Sequence, residues 1–393
     1  MTALRRVGSA LFAPVLAVLF AAVITALVIV LIGENPGTAL RVIFDFGDTP
    51  AQQTQAIVVI LNRAVPLFLA GLAVSVAFRM GLFNIGVEGQ YRMATVLAAG
   101  AGAAVSLPAP LHVVLVIVVA MLVGALWAGI VAVLKVTRGV SEVISSIMLN
   151  FIALGTASWL LTGPLRGSPE GAAIITTEDL PESARFPDLN GVFDWFGLAQ
   201  PRGQLFGFLL VAILVGVVIA VLIKRTRFGF DLRATGMSPS SAAASGIDAR
   251  AMVIKAMLIS GAVAGLIGLP DLMGDTYHFG TQFTAGLGFL GIAVALLGRN
   301  SPVGIAFAAL LFAFLDRAAV PLQFADIPAS VVTIIQGTIV LAVVVANEVA
   351  RQLTRRRAEG DTGQASPVEP DEPPTGPMGT EGSHVDTRQE AGA

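Results

Sequence analysis

Apolar residues along this chain gather into runs of about twenty, the length a helix needs to cross the hydrocarbon of a bilayer. Ten runs are separable: 11–32, 56–78, 83–104, 111–134, 143–163, 204–223, 252–270, 284–298, 302–320 and 329–349. They predict an all-α, polytopic membrane helical bundle of about ten transmembrane spans across residues 11–350. The third and eighth runs are the least regular. Glycine, asparagine, glutamate and glutamine interrupt the third, and the eighth is short and opens on Thr284-Ala285-Gly286-Leu287-Gly288. Both are candidates for a broken or re-entrant helix, because irregular backbone at membrane depth survives only inside protein or beside water.

The polar stretches complete the outline. Residues 164–203 form a long loop with Pro164, Pro169, Pro181, Pro187 and Pro201, and its Phe193, Trp195 and Phe196 suit a membrane interface. Residues 224–251 form a second long loop, at the other face. The tail 351–393 is rich in Gly, Pro, Glu, Asp and Thr and nearly lacks large apolar residues. It cannot bury enough surface to fold and is expected to be disordered.

Composition supports this reading. The 393 residues are 55% hydrophobic and 13% charged, where soluble domains carry about 25% charge. A net charge of −2 and the lack of a basic patch give no footing for nucleic acid. With no cysteine, disulfides, thiolate metal sites and cysteine nucleophiles are excluded. His112, His278 and His384 are far apart and show no metal-ligand spacing. Arginine outnumbers lysine 21 to 3, which suggests a GC-rich bacterial genome. Arg5 and Arg6 precede an apolar run of about 22 residues, longer than the roughly 7–15 of a signal peptide, so it reads as a retained first span. Placing residues 1–10 in the cytoplasm puts 17 Lys and Arg inside and 6 outside, the bias expected of a membrane protein. Both termini are then cytoplasmic.

Candidate chemistry concentrates in Gly81-Leu82-Phe83-Asn84-Ile85-Gly86-Val87-Glu88-Gly89-Gln90. A carboxylate in a span costs roughly 3 kcal/mol on insertion scales and so marks a pathway or a specific partner. Glu88 and Arg92 are four apart and can neutralise each other on a helix. Alternatively Asn84, Glu88 and Gln90 line the solute path or hold a broken helix open. Asn150 lies on a span, where it serves either the path or a helix–helix hydrogen bond. Glu142 is near a span end, and Asp271 and Asp275 read as loop residues. No GxxxxGK[ST] sequence is present and no Ser/His/Asp arrangement is supported. The chain reads as a transport component, not an enzyme, with no cofactor of its own.

In the 224–251 loop, Ser238 suits a helix N-cap with Pro239 at the first turn, and Gly246 suits a C-terminal stop. Arg233, Ala234, Gly236, Pro239, Ala242, Gly246 and Ile247 resemble the coupling loop of bacterial ABC importer permeases. The branch is the one serving branched-chain amino acids, ribose and nucleosides. Ser238 stands where Asn is usual, and Ser240 and Ser241 replace the Glu and first Ala of a Glu-Ala-Ala pattern. Residues 84–90 resemble the signature of the nucleoside-type permeases in that branch, and 141–150 and 288–300 resemble two further family motifs, in order along the chain. The resemblance implies a permease subunit in the bacterial plasma membrane. Its partners would be two ATP-binding subunits, a second permease, homologous or identical, and an extracytoplasmic solute-binding protein. Arg233, Gly236, Pro239, Ala242 and Gly246 would carry the ATPase contact. The solute would be small and polar, a nucleoside or simple sugar. The alternative is an ion- or proton-coupled secondary transporter, which also uses broken helices at mid-membrane.

Overall fold

The computed structural model describes residues 22–343 and 345. The expected N-terminal stretch, the first half of run 11–32 and the 351–393 tail lie outside the described residues. The helices in chain order are α1 (Ala22–Ile32), α2 (Pro36–Ile43), α3 (Pro50–Phe78), α4 (Val87–Ala103), α5 (Ala109–Arg138), α6 (Glu142–Thr162), the short α7 (Gly191–Trp195) and α8 (Phe208–Arg225). They continue with α9 (Arg227–Met237), α10 (Pro239–Ala244), α11 (Ala249–Gly265), α12 (Leu269–Asp271), α13 (Leu287–Leu297), α14 (Pro302–Phe324) and α15 (Ser330–Val343). No β-strand occurs among the described residues, only two isolated bridges, so the all-α expectation holds.

Among the described residues, six helices are long and apolar enough to cross a membrane: α3, α5, α6, α8, the Ala249–Thr276 run and α14. A bent pair, α1 with α2 at 118°, brings the number to seven if it counts as one span. Six of the ten expected runs therefore coincide with full-length helices. The other four do not. The first run is described only from Ala22, and α1 ends with it at Ile32, just before Asn35 caps α2 and Pro36 opens it. The third and eighth begin late, at Val87 and Leu287. α13 has 11 residues, about 17 Å of helix at 1.5 Å per residue, too short to span. The tenth run is described only as far as 343 and at 345, and α15 is a short apolar helix within that part.

Burial sorts the bundle. The most apolar window of α3 is 61% buried and that of Ala249–Thr276 67%, against 22% for α5 and 28% for α8. The first two form the centre, and α5 and α8 turn apolar faces outward, as lipid requires. α3 starts on a capping box between Thr49 and Gln52 and carries Pro66 within its length. α11 crosses α5 at close range. A Cβ on Gly124 would lie 2.9 Å from Gly265 Cα, and one on Gly261 would lie 2.5 Å from Ala128 Cβ. Small residues at four-residue spacing let two backbones meet in this way.

Candidate functional site

The 81–90 segment is a buried knot. Asn84 and Gln90 pair amide to amide, at 2.8 and 3.0 Å. Asn84 also donates to Ser260 Oγ at 2.8 Å, and Ser260 passes on to the carbonyl oxygen of Ala73. Asn150 accepts from Gly89 N at 2.9 Å and donates to the oxygen of Ile85 at 3.0 Å. This is the helix–helix alternative for Asn150. Gly89 allows it, because a Cβ there would sit 2.9 Å from Asn150 Oδ1. Glu88 accepts from Arg92 Nε at 2.9 Å, confirming the i, i+4 pair, and also from Gly286 N at 2.9 Å and Gly288 N at 3.0 Å. It thus supplies the N-terminal cap that α13 lacks, since Gly286, with φ +84°, has no side chain to cap with. The Tyr91 hydroxyl lies 3.0 Å from Glu88 Oε1 and 2.8 Å from the oxygen of Thr284, donating to one at a time.

None of Asn84, Glu88, Gln90 or Asn150 lines either of the two described cavities. The structure brings all four together, with their polar atoms directed at one another and at backbone. The cavities follow α3 instead. The outer one, about 480 Å³, is lined by Gln55, Asn62 and Arg63 of α3, by Gln204 and Phe206, and by Asp271. The inner one, about 340 Å³, takes in Arg63, Asp271, Thr284, Asp316, Thr333 and Gln336. Arg63, Asp271 and Thr284 belong to both, so the two are lobes around one wall. Asp271, expected in a loop, sits on α12 within the Ala249–Thr276 run, because α11 continues through Leu269–Asp271 into a π-helical turn. Below the inner lobe the bundle closes. A Cβ on Gly71 would meet Val294 and Ile305, and one on Gly291 would meet Ala70.

At the end of the bundle away from the cavity mouth, the 224–251 loop is more helical than its Gly/Ser/Pro content predicts. Thr226 accepts from Gly229 N and starts α9, so the basic strip is itself a helix. α10 follows as expected: Ser238 accepts from Ser241 N, Pro239 opens the helix, and Gly246 ends it at φ +79°. Gly236 packs its Cα face on the backbone of Arg79 and Met80, where a Cβ would have no room. Arg79 donates to the carbonyl oxygen of Asn300, in the α13–α14 corner, while Arg233 donates to that of Ile223. Burial, and then the charge of Arg233, hold the Arg79 guanidinium below its ordinary pKa. Pro239 and Ser240 are exposed, Ala242 is buried, and nothing lies within 4 Å of a Cβ on Gly246.

The family model described as the permease component of the branched-chain amino acid transport system matches residues 56–344. The chain belongs to this family. Its relatives are ABC transporter permeases. The glucose permease of Haloferax volcanii is 36% identical over 84% of this chain and 85% of its own length. The nucleoside permease of Lactococcus lactis is 30% identical over 84% and 90%. The guanosine permease of Bacillus subtilis is 36% identical over 72% and 79%. This permease therefore carries the broad identity expected from its four motifs. What the motifs did not point to is the cavity wall. Arg63 and Asp316 were legible as ionisable residues inside apolar runs, a signal that ordinarily marks a pathway. Gln336 and Thr333 gave no such signal.

Proposed function

We propose that this permease is the membrane subunit of an ATP-driven importer for a small polar solute, a nucleoside or simple sugar. Two separate ATP-binding subunits hydrolyse the ATP, a second permease completes the passage, and an extracytoplasmic binding protein delivers the solute. It resides in a bacterial plasma membrane with both termini cytoplasmic. The observation that carries the reading is the family match, which runs unbroken across the cavity wall, the 84–90 knot and the 224–251 loop. Glucose, nucleoside and guanosine permeases among its relatives support the solute class.

In this reading α9 and α10 are the surface the ATPases push. Gly236 bears on Arg79, and Arg79 holds the turn at Asn300 between α13 and α14. A displacement of α9 therefore reaches the two helices whose contact with Ala70 and Gly71 closes the floor beneath the cavity. Parting of that contact would open the passage inward.

Uptake of labelled adenosine and D-glucose, in cells carrying the full transporter, tests the reading. Uptake of at least one should survive a proton ionophore while ATP is maintained, and should vanish when the partner ATPase is inactivated. Uptake that collapses with the ionophore and ignores the ATPase would overturn it.

A further inference from the structure

We propose that the two-lobed cavity is a solute site belonging to the permease itself, built for a neutral polyhydroxylated ring such as a ribose or hexose. This rests on the importer reading above and adds where, and by which groups, the solute is held within the membrane.

Depth comes first. Arg63 lies thirteen residues into α3, about 20 Å along a helix rising 1.5 Å per residue. The cavity therefore reaches the middle of the bundle from the end bearing the 164–203 segment, whose Ile174 and Gly203 line it with the adjoining Gln204. Ionisable groups at such depth are costly and are kept for binding or conduction. Here they are also open to new partners. Arg63 makes no salt bridge among the described residues. Among the described residues, the Asp271 carboxylate receives only the Thr284 hydroxyl, through Oδ2 at 3.5 Å. Gln336, which is 4% exposed, gives its amide hydrogens to Asp316 Oδ1 at 3.0 Å and the oxygen of Phe312 at 3.4 Å. That fixes Asp316 at the wall and leaves Oδ2 without a protein donor among the described residues.

The donor and acceptor balance selects the solute class. Two carboxylates accept from hydroxyls, and a guanidinium donates to hydroxyl or ring oxygen, so a ring bearing several hydroxyls satisfies both kinds. A phosphorylated solute would face Asp271 and Asp316 together. A metal ion finds no cage, since no group of three or more His, Cys, Asp or Glu is arranged for one among the described residues. Phe206 and Phe283 give the outer lobe flat apolar surface for a base or for the C–H face of a sugar. Lobes of about 480 and 340 Å³ fall within the roughly 300–1,000 Å³ of small-molecule pockets.

The absence of native cysteine makes the test direct. Thr333→Cys is placed in the inner lobe, and Glu170→Cys, exposed on the 164–203 segment and outside both lobes, serves as the control. The transporter is assembled with its ATPase subunits in nanodiscs, without ATP and without binding protein, and treated with a small thiol reagent. Adenosine or D-glucose, whichever uptake identifies, should slow modification of Thr333→Cys at least fivefold and leave Glu170→Cys unchanged. Adding Asp316→Asn should raise the half-protecting concentration about tenfold. Uptake without protection would overturn the site and leave the importer reading standing. Protection without ATP-dependent uptake would keep the site and overturn the importer reading. An unchanged half-protecting concentration in both Asp316→Asn and Asp271→Asn would refute the assignment of these groups.

Discussion

Glu88 serves a helix end and a cation with one carboxylate. Its spacing from Arg92 made the ion pair legible in the sequence. The cap on Gly286 and Gly288 was not, because those amides lie 198 and 200 positions further on. The distinction is testable. A buried pair broken on one side loses about 3–5 kcal/mol, since the other charge is left uncompensated. Glu88→Gln should therefore lower the thermal midpoint of the purified protein by several degrees and cut uptake below a tenth at matched membrane levels. The double exchange, Glu88→Arg with Arg92→Glu, should fail to restore either, because it turns donors toward the donors of α13. Recovery in the double exchange would show that neutralising Arg92 is all that Glu88 does.

At the scale of elements, most helices follow from local signals: apolar length, the Thr49 capping box, Asp248 accepting from two amides at the head of α11, and the left-handed Gly139 that stops α5. Packing between helices is less visible from single runs. The α5–α11 crossing depends on glycines that face each other only after folding. Gly261→Leu should therefore lower the yield of monodisperse protein several-fold by fluorescence-detected size exclusion. Gly155→Ala, with nothing within 4 Å of the added Cβ, should not. Equal yields would mean that the crossing tolerates more separation than its backbone contacts indicate. On the loop, Gly246 requires a left-handed backbone, which costs a β-carbon roughly 1–2 kcal/mol, while asparagine adopts it more readily. Gly246→Leu should abolish uptake and spare insertion, and Gly246→Asn should keep most activity. With open space around it, any loss beyond backbone strain comes from a surface outside this chain. Full uptake by the leucine variant would remove α10 from the ATPase contact.

At the largest scale, the described residues form a bundle with a polar recess entering from one end and a helical loop at the other. Charge bias predicts which end faces the cytoplasm, and labelling checks it. An impermeant thiol reagent applied outside intact cells should modify Glu170→Cys, an exposed position of the 164–203 segment, and not Ser240→Cys. The reverse pattern would invert the map. The recess itself was scarcely legible. Arg63, Asp271, Asp316 and Gln336 come from four helices spread over most of the chain, and only their packing gathers them. The junction behind the recess has one more consequence. The N-terminal ends of α4 and α13 both abut Glu88, and each end contributes roughly half a positive charge. Together with the full charge of Arg92 they exceed the one negative charge of Glu88, so the seal is electropositive. Sodium ions and protons that entered the recess would be repelled at its base, as half-helix ends repel cations in other pores. A neutral ring would not be. The junction that caps α13 would then add an electrical barrier behind the closed floor, and a cell could keep this permease idle without draining its ion gradients.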